Sequence, residues 1–384
     1  MPNPLLTRPF LLLCSQFLAV STIVALFFPL QEYLTLLGMP AASAGFILGA
    51  DALAALIVQP FITPLITART ARRWLLAGAL ILALALVMEG GSSGEFAFTA
   101  ARLLQGTGFI CVVAAIMPLF VLCIPREMSG RAFGWISLVR LVPYAVVPLL
   151  FDLFKVAPAA LGGVIRWSAL LALLAGALLW LLPRFPQEQE PASGTSFAGI
   201  RNSLADRSLL LLFAATVLLY AGYAATFFYL KGFGRAAGLA NSGLFFTLAT
   251  VMMMLVRLFG GSLFDRFDKR RMTMIFLLLS ATGTGLILSA SNAAILLALA
   301  VLCGIGWGVV MPLLNALIFD VSQPETRGLN QNLGLLMLQC GFFLGPLSGG
   351  WLLPRGGYPA LFGAAAGVQL LAAVLVLLVR NRDV

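Results

Sequence analysis

The sequence predicts an all-α integral membrane protein with twelve transmembrane helices in two pseudo-symmetric six-helix bundles. Three observations predict this class. Of the 384 residues, 61% are hydrophobic and only 10% are charged, whereas a soluble domain carries about a quarter charged residues. The apolar residues form long runs of roughly 20 residues, the length that a helix needs to cross a bilayer. The runs also fall into two halves that share motifs in the same order.

Twelve apolar runs are separated by short polar segments. Each run is too long for a membrane β-strand and none shows sustained two-residue alternation, so helices are favoured over a barrel. The first run continues past Pro29 without a small-residue cleavage site, so we expect a first span and not a removable signal peptide. The predicted spans are 9–34, 42–66, 73–91, 96–123, 131–154, 162–183, 208–231, 240–263, 272–290, 293–319, 328–353 and 358–379.

Basic residues lie mainly on one side of the predicted membrane. If the N-terminus is inside, sixteen arginine and lysine residues fall on the cytoplasmic side and five fall in outer loops. An excess of positive charge marks the cytoplasmic side, so we expect both termini in the cytoplasm, in a multi-pass protein of the cell inner membrane. The net charge of +10 is therefore interpreted as an orientation signal, and no nucleic-acid partner is expected. The five outer residues are Lys155, Arg166, Lys231, Arg235 and Arg355.

The longest polar stretch, 184–207, divides the spans six and six. It is rich in proline, serine, glycine and glutamate, a composition typical of a flexible linker. The predicted domains are an N-terminal six-helix bundle over 1–183, a cytoplasmic linker over 184–207 and a C-terminal six-helix bundle over 208–384.

The two halves repeat motifs at a spacing of about 194–197 residues. The basic segment 64–73 follows the second span as 261–270 follows the eighth, and Pro118 in the fourth span matches Pro312 in the tenth. Internal repeats of this kind are found in secondary transporters, whose binding sites lie at the interface of the repeats.

Several motifs resemble the signatures of the major facilitator superfamily of secondary transporters. One is the charged loop at 260–271, in which paired glycines precede Asp-Arg and a basic run. Others are Arg102-Leu-Leu-Gln-Gly-Thr-Gly in the fourth span, Arg257 before the charged loop, and Asp320 with the following Pro-Glu-Thr-Arg-Gly. The end of the first span, Leu26–Leu34, resembles the bacterial 12-span drug and metabolite efflux branch. The resemblance implies two six-helix bundles around a central cavity and transport by alternating access.

The resemblance also implies a cytoplasmic gate formed by the charged loop and its counterpart in the first half. Gly261 would let the eighth span approach a neighbour, and Asp265 would lie at the N-terminus of a neighbouring helix. Arg270 would pair with a carboxylate such as Glu127. The first-half copy has Ala68 where the family usually has aspartate, so an asymmetric gate is expected; the alternative is that the basic residues only anchor the protein. The predicted gating residues are Gly261, Asp265, Arg266, Arg270, Arg69, Glu127 and Arg327.

Four charged residues stand out at membrane depth, namely Asp51, Arg102, Arg140 and Arg257. A charge there costs about 2.5–3.5 kcal/mol on insertion scales, so each requires a role. The family fold implies that these residues could face the cavity. Asp51 lies about nine residues, roughly 14 Å, into the second span, and Arg140 lies at a similar depth in the fifth. The two could form an ion pair that a proton or substrate breaks, or one with a structural role alone. The predicted substrate and proton pathway comprises Asp51, Arg102, Arg140, Arg257, Asn315 and Gln339.

The residue types that the sequence lacks limit the chemistry. There is no histidine, and the five cysteines lie within or at the ends of apolar spans without metal-ligand spacing. No metal, cofactor or catalytic residue is therefore predicted. Nothing resembles a Walker nucleotide loop, so ATP-driven pumping is disfavoured.

The leading prediction is a secondary active transporter, an antiporter that exports a small organic solute by proton-coupled alternating access. Its expected partners are the solute, protons and the lipid bilayer, and the chain is expected to act as a monomer. Three buried arginines against one aspartate favour an anionic solute, because guanidinium binds carboxylates bidentately. Proton-coupled uptake of an organic anion is therefore the alternative. A non-transporting multi-pass receptor or enzyme is a third possibility, which no clustered acid–base set or soluble signalling domain supports.

Overall fold

The computed structural model describes residues 7–67, 69–124, 128–183, 201, 203–239, 241–260 and 267–379, apart from the side chains of residues 129 and 130. Within these ranges the regular secondary structure is helical, with short 3-10 turns beside the α-helices. The helices used below are α1 (Arg8–Ala25), α2 (Leu30–Leu36), α3 (Ala41–Ile62), α4 (Ala71–Gly91), α5 (Glu95–Cys123), α6 (Ser129–Leu153), α7 (Leu161–Ala177), α8 (Arg207–Ala236), α9 (Leu244–Phe259), α10 (Lys269–Leu286), α11 (Ala293–Val321) and α12 (Arg327–Leu377).

The described helices account for the predicted spans. Ten helical segments are long and apolar enough to cross a membrane, and α9 is a shorter apolar helix of 16 residues. The 51-residue α12 contains two predicted spans that meet at Gly357. The φ of this residue is 62°, in the left-handed region that glycine enters without a side-chain clash. The prediction of an all-helical membrane protein with twelve spans is confirmed.

The described residues fall into two compact units. The first unit contains the described residues up to Met39 and from Ala50 to residue 183. In this unit α4 packs against α5 and α7, and α1 packs against α5, α6 and α7. Small residues bring the backbones of α4 and α5 together. A Cβ added to Gly78 of α4 would lie 2.9 Å from the carbonyl oxygen of Gly108 in α5, a close approach typical of helix pairs in membranes.

The second unit holds Pro40–Gly49 and the described residues from 201 onward. In it α12 packs along α8, and α11 packs against α9 and α10. The Trp307 ring of α11 is fully buried and lies edge-on to Tyr223 of α8, with ring centroids 4.9 Å apart. The Trp307 Nε1 donates to Oε1 of Gln369 at 3.4 Å, and the Gln369 Nε2 donates to Oγ1 of Thr284 at 3.1 Å. The polar groups of this core are thus neutral and hydrogen-bonded to each other.

The same packing order occurs in both units. In the first, α4 packs against α5 and α7, and in the second α10 packs against α11 and α12. Gly106 of α5 meets the backbone of Asp51 in α3, as Gly304 of α11 meets the backbone of Ala249 in α9. This repetition agrees with two pseudo-symmetric bundles. The predicted domain boundary at the linker stays a prediction, because residues 184–200 lie outside the described ranges.

Candidate functional site

An ion pair links α3 and α5 inside the first unit. The Nη2 atom of Arg102 lies 2.8 Å from Oδ1 of Asp51. The Arg102 side chain is 1% exposed and the Asp51 side chain is 25% exposed. Solvent can therefore reach the carboxylate of the pair but not its guanidinium. Charged residues within membrane spans pair with each other or face the bundle interior, and these two do both.

The Arg102 guanidinium has further partners in the same unit. Its Nη1 donates to Oε1 of Gln105, one turn later on α5. Its Cζ lies 4.4 Å from the ring centroid of Phe27, within the range of a cation–π contact. Because residues three apart share a helix face, the Arg-x-x-Gln motif turns both side chains the same way. An anion, an amide and an aromatic ring therefore fix the orientation of this charge.

Gly106 allows α3 and α5 to approach closely enough for this pair. A Cβ at this position would overlap the backbone of Asp51 at its Cα, carbonyl carbon and carbonyl oxygen. Such backbone proximity requires glycine or another small residue in membrane helices. The glycine that follows Arg102 and Gln105 in the sequence motif thus sets the distance from Arg102 to Asp51.

A second carboxyl group, that of Glu89, belongs to the same site. Glu89 lies in the last turn of α4 and is 0% exposed. No described residue donates a hydrogen bond to either carboxyl oxygen, and Glu89 interacts electrostatically with Arg102 and Asp51. Glu89 is not among the residues predicted from the sequence, because it lies near the end of the predicted span 73–91. A lone acidic residue in an otherwise apolar run is the signal that could have found it.

The expected partner of Asp51 differs from the one in the structure. Arg140 of α6 is exposed, and no ion pair joins it to a described residue. Tyr144, one turn later, interacts electrostatically with both Arg140 and Asp51, so α6 does reach the site. The structure pairs Asp51 with Arg102 instead, because Gly106 brings α5 directly against α3.

The remaining predicted pathway residues, Arg257, Asn315 and Gln339, lie in the second unit. The Nη2 atom of Arg257 lies 3.7 Å from Sδ of Met311. Asn315 is exposed on α11, and its backbone oxygen accepts from Nε2 of Gln331 at 2.9 Å. Gln339 is half-buried on α12.

Three of the predicted gating residues are described, and two of them contact groups other than carboxylates. Arg270 donates from Nη1 to the carbonyl oxygen of Val379, and the Arg327 Cζ lies 4.4 Å from the Phe319 ring centroid. Arg69 is exposed in the turn before α4. The gating role of these residues stays a prediction, and the expected pairing of Arg270 with Glu127 lies outside the described residues. The other predicted gating residues outside the described ranges are Gly261, Asp265 and Arg266.

Arg270 has a counterpart in the first unit. Arg72, at the start of α4, donates to the carbonyl oxygens of Leu179 at 2.8 Å and Pro183 at 3.1 Å. Each arginine thus binds backbone carbonyls where the last helix of its own unit ends. A cation there is favourable, because the helix dipole is negative at the C-terminus and its last carbonyls lack helical partners. This contact gives Arg270 a structural role that the sequence analysis did not predict.

The chemistry available at the site is proton binding. Among the described residues, no group of three or more His, Cys, Asp and Glu side chains is arranged to hold a metal ion. A carboxylate can gain a proton and become a hydrogen-bond donor, whereas guanidinium stays charged. Asp51, Glu89 and Arg102 therefore form a charge cluster whose net charge changes with each proton bound.

Sequence comparisons identify the family of this chain. The family model for the Major Facilitator Superfamily matches residues 10–241 and 212–384. Quinolone resistance protein NorA of Staphylococcus aureus (strain Mu50) is 28% identical over 151 residues, which are 39% of this chain and 38% of NorA. Multidrug resistance protein MdtH of Photorhabdus laumondii is 32% identical over 117 residues, 30% of this chain and 29% of MdtH. The matches thus span less than half of the length of these curated relatives.

Solved structures share the fold. Nucleoside transporter NupG superposes with a TM-score of 0.77 at 16% identity, over 97% of this chain and 98% of that one. A D-xylose-proton symporter gives 0.77 at 14% identity, over 97% of each chain. At these identities the likeness is one of fold alone. Because the family model covers most of the sequence, the chain belongs to the Major Facilitator Superfamily, a family of membrane transporters rather than enzymes.

Proposed function

We propose that this protein is a secondary active transporter that exports a small organic solute from the cytoplasm in exchange for protons, by alternating access. It would act as a single chain in the cell inner membrane with both termini inside. The observation that carries the proposal is the ion pair of Asp51 and Arg102 at membrane depth in the first unit.

This ion pair can couple a proton to a conformational change. A proton on Asp51 removes the carboxylate charge that Arg102 requires at 2.8 Å. The guanidinium is then left charged in a buried environment, which strongly destabilises the arrangement because a buried charge needs a partner. A conformation that gives Arg102 another anion becomes favoured, and the cycle restores the pair when the proton leaves. The 25% exposure of Asp51 gives the proton access to the pair.

Export of a drug-like compound is supported by the activities after which two relatives are named. NorA is a quinolone resistance protein and MdtH a multidrug resistance protein. Proton coupling agrees with one structural neighbour, the D-xylose-proton symporter. The first-span sequence Leu26–Leu34, which resembles the efflux branch, supports the same direction.

Proton-coupled uptake of an organic anion is the second candidate, and Arg140 favours it. This arginine is exposed and forms no ion pair with a described residue, so its guanidinium is available to a carboxylate or phosphate of the solute. Arg102 gives less support to this alternative than the sequence suggested, because its guanidinium is already paired with the Asp51 carboxylate.

Flux through proteoliposomes with an imposed pH gradient tests the proposal. The panel comprises fluorescent quinolones, lipophilic cations and aromatic carboxylates. For a proton-coupled exporter, a gradient that drives protons into the vesicle accelerates the movement of one panel compound out of it. For a proton-coupled importer, the compound moves in the same direction as the protons. Gradient-independent flux of every compound would overturn proton coupling.

The Asp51→Asn variant locates the coupling. It should reduce gradient-driven flux to the level of empty liposomes, while exchange of labelled for unlabelled solute persists. Glu95→Gln is the matched control, because Glu95 is an exposed acidic residue in the first turn of α5. Gradient-driven flux that survives in Asp51→Asn would remove Asp51 from the coupling mechanism.

A further inference from the structure

We propose that Glu89 is a proton-binding site, which holds a proton in this conformation and exchanges it with Asp51 as Arg102 changes partner. This inference rests on the proposed proton coupling and adds to it a second carboxyl group. None of the motifs identified in the sequence includes Glu89 of α4.

The net charge of the cluster depends on how many of its carboxyl groups are ionised. The cluster contains two carboxyl groups, Asp51 and Glu89, and one guanidinium, Arg102. With both carboxyls ionised it carries a net charge of minus one in the interior of a membrane bundle. An uncompensated charge in such surroundings is very unfavourable, and the group neutralises instead. One bound proton makes the cluster neutral.

The contacts of the two carboxyl groups decide which of them holds that proton. Asp51 has the ion pair with Arg102 at 2.8 Å and is 25% exposed, so it is the ionised partner. Glu89 is 0% exposed, and neither of its oxygens accepts a hydrogen bond from a described residue. A carboxylate would need such donors, and the proton therefore resides on Glu89.

The helix that carries Glu89 also favours the neutral acid. Glu89 lies in the last turn of α4, where the helix dipole is negative and disfavours a carboxylate. The helices packed against α4 are α5 and α7. The buried charge on α5 is Arg102, and Glu95 at its start is exposed. On α7 the ionisable group is Arg166, which is exposed and donates to the carbonyl oxygen of Gly90 at 3.2 Å.

A proton exchange between the two carboxyl groups keeps the cluster neutral. The O–H bond of Glu89 breaks and an O–H bond forms on Asp51, directly or through water. Arg102 leaves the Asp51 carboxyl and pairs with the new Glu89 carboxylate. One proton and one ion pair exist before and after the step, so no net charge is buried. Asp51 is the partly exposed end of this relay, at which the cluster exchanges its one proton with water.

Infrared spectroscopy of the purified full chain in phosphatidylethanolamine–phosphatidylglycerol liposomes tests the inference without a substrate, by comparison of the wild-type and variant spectra. At neutral pH the wild-type protein should show the C=O stretch of a buried protonated carboxylic acid. The band should be lost in Glu89→Gln and retained in Glu95→Gln. Absence of the band in the wild type, or its retention in Glu89→Gln, would overturn the assignment.

Two further measurements distinguish the proposal from misfolding of a variant and from a buried acid that has only a structural role. Incorporation of ¹³C-labelled glutamate into the wild-type chain should shift the band, and ¹³C-labelled aspartate should not; this result does not depend on any variant folding. In Asp51→Asn, Arg102 lacks its anion, so Glu89 should ionise and the band should disappear. A band that persists in a folded Asp51→Asn protein shows an inert buried acid and refutes the exchange. If the band behaves as expected while flux does not respond to a pH gradient, the proposed function fails and the Glu89 site stands.

Discussion

At the scale of single residues, Arg102 organises the polar interior of the first unit. It pairs with Asp51, donates to Gln105 and lies over the ring of Phe27. The sequence was sufficient to identify Asp51 and Arg102, because a charge within an apolar span needs a role. Their pairing could not be predicted, since Asp51 and Arg140 lie at similar depths and residue spacing does not determine which helices meet.

Replacing Arg102 by methionine should destabilise the protein by about 3–5 kcal/mol, the range for removing one partner of a buried ion pair. The Asp51 carboxylate would then lack its counter-charge. Addition of Asp51→Asn should recover part of the loss, so that the two changes are not additive. Reversible unfolding in mixed micelles measures the free energies of unfolding.

Arg73→Met, which removes an exposed arginine at the start of α4, is the control and should change stability by less than about 0.5 kcal/mol. Additive losses would show that the pair contributes nothing as a unit.

At the scale of helices, glycine contacts set the distances on which the site depends. The motif after Arg102 predicts a glycine-rich face on the fourth span, and the structure shows what meets that face. Gly106 lies against the backbone of Asp51, and Gly108 lies against Leu82 and Gly78 of α4. The identity of these neighbours could not be read from the motif, because it depends on how α3, α4 and α5 pack in three dimensions.

Gly106→Ala should separate α3 from α5 and weaken the ion pair. Its methyl group would overlap backbone atoms of Asp51, which cannot move aside as a flexible side chain can. We expect gradient-driven flux to fall to the level of Asp51→Asn and the free energy of unfolding to decrease.

The matched control is Gly163→Ala on α7, whose added Cβ meets nothing within 4 Å. That change should be neutral or stabilising by about 0.5–1 kcal/mol, since alanine is the better helix former. Equal behaviour of the two variants would contradict the close-approach role.

At the scale of the whole molecule, the two units repeat one packing order but differ in their buried polar groups. The first unit buries charged side chains, Arg102 and Glu89 among them, whereas the buried network of the second, Trp307 with Gln369 and Thr284, is neutral. The repeat was predictable because motifs recur at a constant spacing in the sequence. The difference was not, because it depends on which polar side chains the packing places inside.

The distribution of basic residues makes a prediction for the whole chain. If the excess of positive charge lies inside, the turn between α4 and α5 faces outward and the segment before α8 faces the cytoplasm. A cysteine at Ser93 should then react with a membrane-impermeant maleimide in intact cells, and a cysteine at Ala205 only after permeabilisation. Both residues are exposed, so the membrane and not packing decides their reactivity. The unmodified chain is the control, because its five cysteines are buried or only partly exposed. The opposite labelling pattern would show that the predicted orientation is inverted.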